Sequence, residues 1–129
     1  MQTKDFSGIR TNGSLPSPEE IEIPGDIADL LADYIESTSS MLEELEKAAM
    51  AYEAAICQAA GVPDENSAAT IRRVLHKIKG ESGMVGIEAM SEFCHQAEYA
   101  FEELEPRQRP DMLLRFKDWV CAALQNINA

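Results

Sequence analysis

The stretch Arg72–Gly86, which reads RRVLHKIKGESGMVG, combines a helical apolar pattern with a cluster of basic residues. At about 100° per residue, Val74, Ile78 and Val85 fall on one side of a helix. His76 lies about 160 to 180° away from that apolar stripe. The pattern therefore predicts a helix that buries one face in a core and carries His76 on the opposite face, toward solvent or a partner.

Three other segments show the same helical periodicity. A stripe from Leu31 to Ile56 predicts helix over residues 27–58, although the run Ser37–Ser40 leaves open whether this is one helix or two. Residues 88–103 and 110–127 each predict one further helix, the last with Pro110 as its first residue. The chain shows almost no strand signal after position 25, so the sequence predicts an all-α fold.

The connections between these helices are short. Gly86 is placed to end the second helix, and Asn66 or Ser67 could cap its start. Consecutive amphipathic helices with short connections pack antiparallel, so we expect an up-and-down four-helix bundle, with a short extra N-terminal helix as an option. Proline and glycine residues near the N-terminus predict a flexible tail over residues 1–24 and one bundle domain over residues 25–129.

The charge of the chain limits its partners. Eleven basic and 23 acidic residues give a formal net charge of −12, which disfavours nucleic acids and anionic membrane surfaces because both are negatively charged. No apolar run reaches the roughly 20 residues of a membrane-spanning helix, and the N-terminus lacks a secretory signal pattern. We expect a cytoplasmic protein that binds neither nucleic acid nor membrane.

The cysteines and histidines do not indicate a metal site. Cys57, Cys94 and Cys121 have no paired short spacing, so we expect three buried, reduced thiols. No CxxC or HxxxH pair is present, and the adjacent Cys94 and His95 would point about 100° apart on a helix. The sequence also lacks a nucleotide-binding fingerprint. We expect no metal, no bound cofactor and no kinase activity of the chain by itself.

A basic patch surrounds His76 on this otherwise acidic chain. Residues 69–80 contain no acidic residue, and four cations lie within eight positions: Arg72, Arg73, Lys77 and Lys79. Cations concentrated around a titratable nitrogen favour the approach of an anion. An imidazole can act as a covalent nucleophile, and phosphoryl transfer depends mainly on positioning and charge stabilisation. We therefore interpret His76 as an acceptor of phosphoryl groups.

Small residues on the His76 side of the helix support this interpretation. Ala69, Gly80 and Gly83 lie within about 40° of His76, and each glycine lowers helix stability by roughly 1 kcal/mol relative to alanine. A solvated histidine without a function explains neither the glycines nor the cations, whereas a surface that a partner approaches closely explains both. His95 has acidic neighbours at helical spacing and is expected to be an ordinary surface histidine.

The segment His76–Gly86 resembles the signature of histidine-containing phosphotransfer (HPt) domains. That signature has a histidine, a lysine and a glycine three and four positions later, a small residue two further on, and a glycine ten positions after the histidine. The chain has all five, namely His76, Lys79, Gly80, Ser82 and Gly86. The resemblance covers roughly residues 26–127, and the specific motif covers Leu75–Gly86.

The resemblance implies a phosphocarrier in a multi-step two-component phosphorelay. His76 would accept a phosphoryl group from the aspartate of a response-regulator receiver domain and pass it to another receiver domain. A hybrid histidine kinase is a second candidate partner, and Mg²⁺ is expected on the receiver domain. Lys79 would contact the phosphoryl oxygens, and the docking residues would be Ala69, Arg72, Arg73, Lys77, Gly80 and Gly83.

Two alternatives stay open at this point. The same face could dock a receiver domain without transferring phosphate, although such a module has no need of an intact His76/Lys79 pair. The chain could also be the phospho-accepting domain of a larger hybrid or chemotaxis-type histidine kinase. The proline-rich N-terminal segment and Met1 favour a stand-alone protein. The sequence indicates neither the oligomeric state nor the direction of phosphate flow.

Overall fold

Five α-helices form the part of the protein that the computed structural model describes, which is residues 5–58 and 63–127. They are α1 (Gly8–Thr11), α2 (Ala28–Gln58), α3 (Glu65–Met84), α4 (Glu88–Glu103) and α5 (Arg109–Ile127). Short 3₁₀ turns lie at Pro18–Glu20 and Pro106–Gln108. These ranges contain no β-strand, so the predicted all-α class is confirmed. No helix within them is long and apolar enough to cross a membrane.

The four long helices pack around one apolar core, in which α2 contacts α3 and α5, and α4 contacts α3 and α5. Side-chain contacts show the relative directions of neighbouring helices. Tyr34, near the start of α2, bonds Ser82, near the end of α3, whereas Glu44 pairs with Arg73 earlier in α3. The same reversed order occurs in the other pairs: Arg72 with Glu102 and Lys79 with Glu98 for α3 and α4, and Glu46 with Lys117 and Tyr52 with Arg109 for α2 and α5.

The first long segment is one continuous helix, which answers the question that the serine-rich run left open. α2 extends from Ala28 to Gln58 without interruption. Thr38 is fully buried, while Ser39 and Ser40 are exposed. The side chain of Ser37 donates a hydrogen bond to Glu81 of α3 at 2.9 Å. Because Ser37 bonds a neighbouring helix, and Ser39 and Ser40 are exposed, these three hydroxyl groups do not compete with the backbone hydrogen bonds of α2.

Both ends of α3 are fixed by local backbone chemistry. Its N-cap is Asp64, whose carboxylate accepts the backbone N–H of Ser67 at 3.1 Å. The predicted caps, Asn66 and Ser67, therefore lie inside the helix, because α3 begins at Glu65. At the other end Gly86 has a φ of +84°, which favours glycine, and the N–H of Ile87 bonds the carbonyl of Ser82 at 2.9 Å. The predicted stop at Gly86 is confirmed.

The N-terminal segment (residues 5–24) packs on the bundle, where the sequence predicted a flexible tail. Phe6 and Ile9 are each only 1% exposed. The ring of Phe6 lies 4.8 Å from that of Phe93 in α4 and 5.2 Å from that of Trp119 in α5. The prediction missed this contact because two apolar residues among polar and turn-forming ones give no periodic signal. Residues 1–4 of the predicted tail lie outside the described residues, and the domain division at residue 25 stays a prediction.

Hydrogen bonds from α5 hold the same segment in place. The guanidinium of Arg115 donates to the backbone carbonyls of Gly8 and Gly13, at 3.3 and 2.6 Å. The indole N–H of Trp119 donates to the carbonyl of Pro16 at 2.7 Å. These bonds satisfy carbonyl groups of a segment that has little regular structure of its own. The optional extra N-terminal helix exists as the four-residue α1, within this segment.

The cysteines differ from the expectation of three buried thiols. Cys94 is buried, Cys121 is half-buried and Cys57 is exposed, and all three are free. Cys57 follows the buried Ile56 on α2, and a step of about 100° places it off the apolar stripe. Burial raises the pKa of the Cys94 thiol well above its ordinary value. Cys94 therefore behaves as a small apolar core residue rather than as a reactive thiol.

Replacing Phe6 with alanine tests whether the N-terminal segment is part of the fold. A fully buried phenylalanine contributes about 3 kcal/mol or more to the free energy of unfolding, so Phe6→Ala should lower it by about that amount. Glu22→Ala is the matched control, because Glu22 is an exposed residue of the same segment. Urea unfolding at equilibrium measures both. Equal stability of the two variants would show that residues 5–24 behave as a tail in solution.

The alkaline stability of the protein should depend on Tyr34. Burial raises the pKa of Tyr34 from its ordinary value of 10.0 to about 12. Between these pH values the unfolded chain has released a proton that the folded chain retains. The free energy of unfolding should therefore fall as pH rises through this window, by about 1.4 kcal/mol per pH unit. In Tyr34→Phe this part of the pH dependence should vanish, which urea unfolding at about pH 9 and about pH 11 will measure.

Candidate functional site

The buried face of α3 determines where His76 points. Val74, Leu75 and Ile78 have no exposed surface, and they are packed against the neighbouring helices. The side chain of His76 lies on the opposite side and is 74% exposed. The structure thus places the imidazole at the surface, as the periodicity predicted. We call this exposed side of α3, centred on His76, Gly80 and Gly83, the His76 face.

Glu98 of α4 connects the two residues that the sequence placed at the centre of the site. Its Oε2 atom lies 3.4 Å from Nδ1 of His76, and its Oε1 atom lies 2.6 Å from the ammonium group of Lys79. Glu98 and Lys79 are each only about a quarter exposed. The Lys79 contact is an ion pair without aligned hydrogen-bond geometry, since Oε1 has no hydrogen-bond partner within the described ranges. One carboxylate therefore lies beside both His76 and Lys79, without an aligned hydrogen bond to either.

This arrangement distinguishes the two nitrogens of the His76 ring. A carboxylate beside Nδ1 favours the tautomer that carries the ring proton on Nδ1. Nε2 then keeps its free electron pair and points away from Glu98. Because His76 is mostly exposed, Nε2 is accessible to a reacting group carried by another molecule. The geometry supports nucleophilic chemistry at Nε2.

The basic patch is largely neutralised by carboxylates from the neighbouring helices. Arg72 bonds Glu102 of α4 at 2.6 Å. This bond holds the pKa of Glu102 below its ordinary value and raises the pKa of Arg72. Arg73 pairs with Glu44 of α2. Three of the four cations around His76 thus have a carboxylate partner, since Lys79 pairs with Glu98, and the sequence pattern of the basic patch did not indicate these partners.

Lys77 is the exception. It is exposed, and no ion pair to it is formed by the residues that the structure covers. It borders an open groove of about 460 Å³ between α2 and α3, whose other lining residues are Asp33, Glu36, Ser37, Ser40, Met41 and Glu44. The ammonium group of Lys77 is therefore free to contact a partner, although carboxylates of α2 lie nearby.

The glycines of the His76 face leave open space. A methyl group built on Gly80 would meet no other atom within 4 Å among the described residues, and one on Gly83 would meet only Ser91, at 3.7 Å. Internal packing therefore does not require glycine at either position. Ala69 is also exposed, one and a half turns to two turns before His76 on the same helix. These small residues give a partner close access to the backbone of α3.

The predicted site residues occupy one continuous surface, but they face different neighbours. His76, Ala69, Gly80 and Gly83 lie at its centre. The arginines divide, with Arg72 on the α4 side and Arg73 on the α2 side, as their carboxylate partners show. His95 is exposed on α4, one turn before Glu98, and among the described residues no hydrogen bond or ion pair joins it to His76.

Sequence reasoning missed the carboxylates of this site. Neither the spacing within α3 nor the resemblance assigns Glu98, Glu102 or Glu44 to the site. Helical spacing assigns residues to faces of one helix, whereas these contacts depend on the register between two helices. The one signal in the sequence is the expected antiparallel packing of α3 and α4. In such a pair an earlier cation of α3, Arg72, meets a later glutamate of α4, Glu102, and the later Lys79 meets the earlier Glu98. Within the described ranges no group of three or more histidine, cysteine or acidic residues could hold a metal ion.

An exposed histidine beside a carboxylate thus lies on the surface of this helical bundle. The family model described as the Hpt domain matches residues 29–127. The chain therefore belongs to the Hpt domain family, and the match includes every predicted site residue. Membership implies a histidine phosphotransfer role in a phosphorelay. Searches among curated proteins and among solved structures gave no match.

Replacing Gly80 with alanine tests whether glycine is present for the fold or for access. Because the added methyl group meets nothing, Gly80→Ala should raise the free energy of unfolding by roughly 1 kcal/mol through helix propensity. Gly86→Ala is the contrast: its φ of +84° and the side chain of Pro24, 3.1 Å from the added carbon, should make it destabilising. Thermal and urea unfolding measure both. A loss of stability in Gly80→Ala would mean that the fold itself requires this glycine.

Proposed function

We propose that this protein is a phosphocarrier that accepts a phosphoryl group on His76 from the aspartate of a receiver domain and passes it to another receiver domain. The observation that carries the proposal is the contact of Nδ1 with Glu98, which leaves Nε2 exposed and nucleophilic. Membership of the Hpt domain family supports the same role. Kinase activity is not part of the proposal, since the chain receives phosphoryl groups that are already activated.

The transfer step needs no proton movement at the nitrogen that reacts. The electron pair of Nε2 attacks the phosphorus of the aspartyl phosphate, and the bond between phosphorus and the aspartate oxygen breaks. The electron pair of that bond leaves with the aspartate carboxylate. The imidazole retains its proton on Nδ1 and becomes cationic, and the nearby Glu98 carboxylate stabilises that charge. The reverse sequence of events returns the phosphoryl group to a second receiver.

Lys79 is proposed to bind the phosphoryl oxygens during this step. In the free protein its ammonium group is paired with Glu98, which also contacts His76. A phosphoryl group arriving at Nε2 places new anionic oxygens close to the same ammonium group. Lys79 can then exchange part of its contact with Glu98 for a contact with phosphate, while Glu98 turns its attraction toward the newly charged imidazole.

The remaining parts of the proposal concern the setting of the reaction. We take α2–α5 to be an up-and-down bundle, on the basis of the reversed order of contacts between neighbours. Mg²⁺ is assigned to the receiver domain, and the carrier is placed in the cytoplasm. Docking is assigned to the exposed residues around His76, which are Ala69, Arg72, Arg73, Lys77, Gly80 and Gly83.

A docking module that transfers nothing is the principal alternative. It would use the same surface, but it would have no need of a histidine whose Nδ1 is held by a carboxylate. An origin as the phospho-accepting domain of a larger histidine kinase is a second alternative, and it changes the donor rather than the chemistry at His76. The phosphocarrier and the docking module both bind a receiver domain, and they differ in whether a covalent bond forms at Nε2 of His76.

Transfer from a phosphorylated receiver domain should label the protein at His76 alone. Wild type should gain acid-labile, base-stable phosphate, and His76→Gln should gain none while still binding the receiver. His95→Gln is the matched control, because His95 is the other histidine of the chain and is also exposed. It should be labelled as wild type is. Radiolabel transfer with acid and base treatment measures all three proteins.

Either of two results would contradict the proposal. Binding of receivers without label on the wild type would leave a docking module. Label that persists in His76→Gln and disappears in His95→Gln would move the reactive residue to α4.

A further inference from the structure

Met84 is the most exposed large apolar side chain that the structure describes, at 87%. A single exposed apolar residue needs no explanation by itself. Its position gives it significance, because it lies eight residues after His76 on α3, about 12 Å along the helix axis and about 80° around it. Met84 therefore lies at the edge of the His76 face, on the side toward α2.

Leu30 of α2 lies near the same end of the bundle and is 52% exposed. The bond between Tyr34 and Ser82 places these two residues at one level. Toward the end of the bundle where α2 begins and α3 ends, Leu30 lies one turn, about 6 Å, past Tyr34. Met84 lies two residues, about 3 Å, past Ser82 toward the same end. The two apolar side chains therefore occupy similar levels on neighbouring helices.

Leu30 also belongs to the column of α2 residues that faces α3. Ser37 and Glu44 follow Leu30 at intervals of seven, which is close to two helical turns. Ser37 donates to Glu81, and Glu44 pairs with Arg73. We call this line of contacts the α2–α3 seam. The seam is polar along most of its length, and Leu30 with Met84 forms an apolar end to it.

A receiver domain that reacts with His76 must cover Met84 if its interface is of ordinary size. Stable protein interfaces cover about 800 Å² on each partner, which corresponds to a disc of about 16 Å radius. Centred on His76, such a disc extends beyond the 12 Å that separates it from Met84 along α3. Gly80 and Gly83 lie between the two and present no side chain that would hold the partner away.

Charge gives this surface limited power to select a partner. Arg72, Arg73 and Lys79 already have carboxylate partners, so a negatively charged partner must compete with them. Apolar area that becomes buried on docking meets no such competition. In most interfaces a small number of well-buried side chains contributes most of the binding affinity.

We propose that Met84 and Leu30 form an apolar anchor that selects which receiver domain docks over His76. The inference rests on the proposed function, because the occupant is the receiver that exchanges phosphoryl groups with His76. The preferred receiver presents an apolar side chain displaced from its phosphorylated aspartate by about 12 Å along the direction of the α3 axis, and sideways toward α2. A receiver with a charged residue there is disfavoured, because the charge would be buried without a partner.

The anchor is tested by binding in the absence of chemistry. The probe is the receiver domain that transfers fastest to the wild type among a panel of purified receivers phosphorylated with acetyl phosphate. In a His76→Gln background, Met84→Ala should weaken its Kd about tenfold and Leu30→Ala several-fold, by isothermal calorimetry. Met50→Ala is the matched control, since Met50 is 63% exposed elsewhere on α2. It should bind as its parent does, and Met84→Leu should restore most of the affinity.

Transfer kinetics distinguish docking from chemistry. With His76 intact, Met84→Ala should raise KM for the phosphorylated receiver and leave kcat unchanged. Equal Kd and KM for Met84→Ala and Met50→Ala would overturn the anchor while leaving the proposed function in place. A fall in kcat at constant KM would overturn it as well, because the residue would then act on the reacting groups. A panel in which no receiver phosphorylates the wild type would instead contradict the proposed function.

Discussion

The burial of one face of α3 is the constraint on which the site depends. Val74, Leu75 and Ile78 have no exposed surface, and removing each from water contributes about 1.5–3 kcal/mol to folding. Rotation of the helix by one residue step, about 100°, in the sense that brings His76 to the buried position of Leu75, would expose Val74 and Ile78. The apolar core thus holds the imidazole at the surface more firmly than any polar contact of His76 does. The helix that carries the exposed His76 keeps its orientation because its opposite face is buried in the core.

The second constraint comes from α4, which supplies what α3 lacks. The His76 face contains only cations and small residues on its own helix over positions 69–80. Antiparallel packing brings Glu98 and Glu102 from α4 beside it, so that the imidazole, Lys79 and Arg72 each meet a carboxylate. Positioning of His76 therefore depends on the register between two helices. A shift of α4 by one turn that brought Cys94 to the level of Glu98 would leave Lys79 without its partner and Nδ1 of His76 without the contact that distinguishes the two ring nitrogens.

The parts of this structure that follow from local spacing could be predicted, and the parts that depend on register could not. The bounds of α4, the stop at Gly86 and the outward position of His76 all follow from periodicity within one helix. The packed N-terminal segment escaped prediction because Phe6 and Ile9 belong to no periodic pattern, although both are buried. The sequence shows the cations around His76 close together, whereas their carboxylate partners lie 19 to 30 positions away, as Lys79 with Glu98 and Arg72 with Glu102 illustrate. Helical spacing within α3 could not predict these ion pairs.

Neutralisation of the cations bears on how a carrier can work. A protein that both accepts and donates a phosphoryl group must release its partner after each transfer, so a strongly cationic surface that retained phosphorylated receivers would slow the cycle. Pairing Lys79 with Glu98 reduces the attraction of the free protein for anions in solution. In the function proposed above, Lys79 would exchange this contact for the oxygens of a phosphoryl group on Nε2. On that proposal the cation acts on the group in transfer more than on the encounter, and the apolar surface beside His76 would contribute to discrimination between partners.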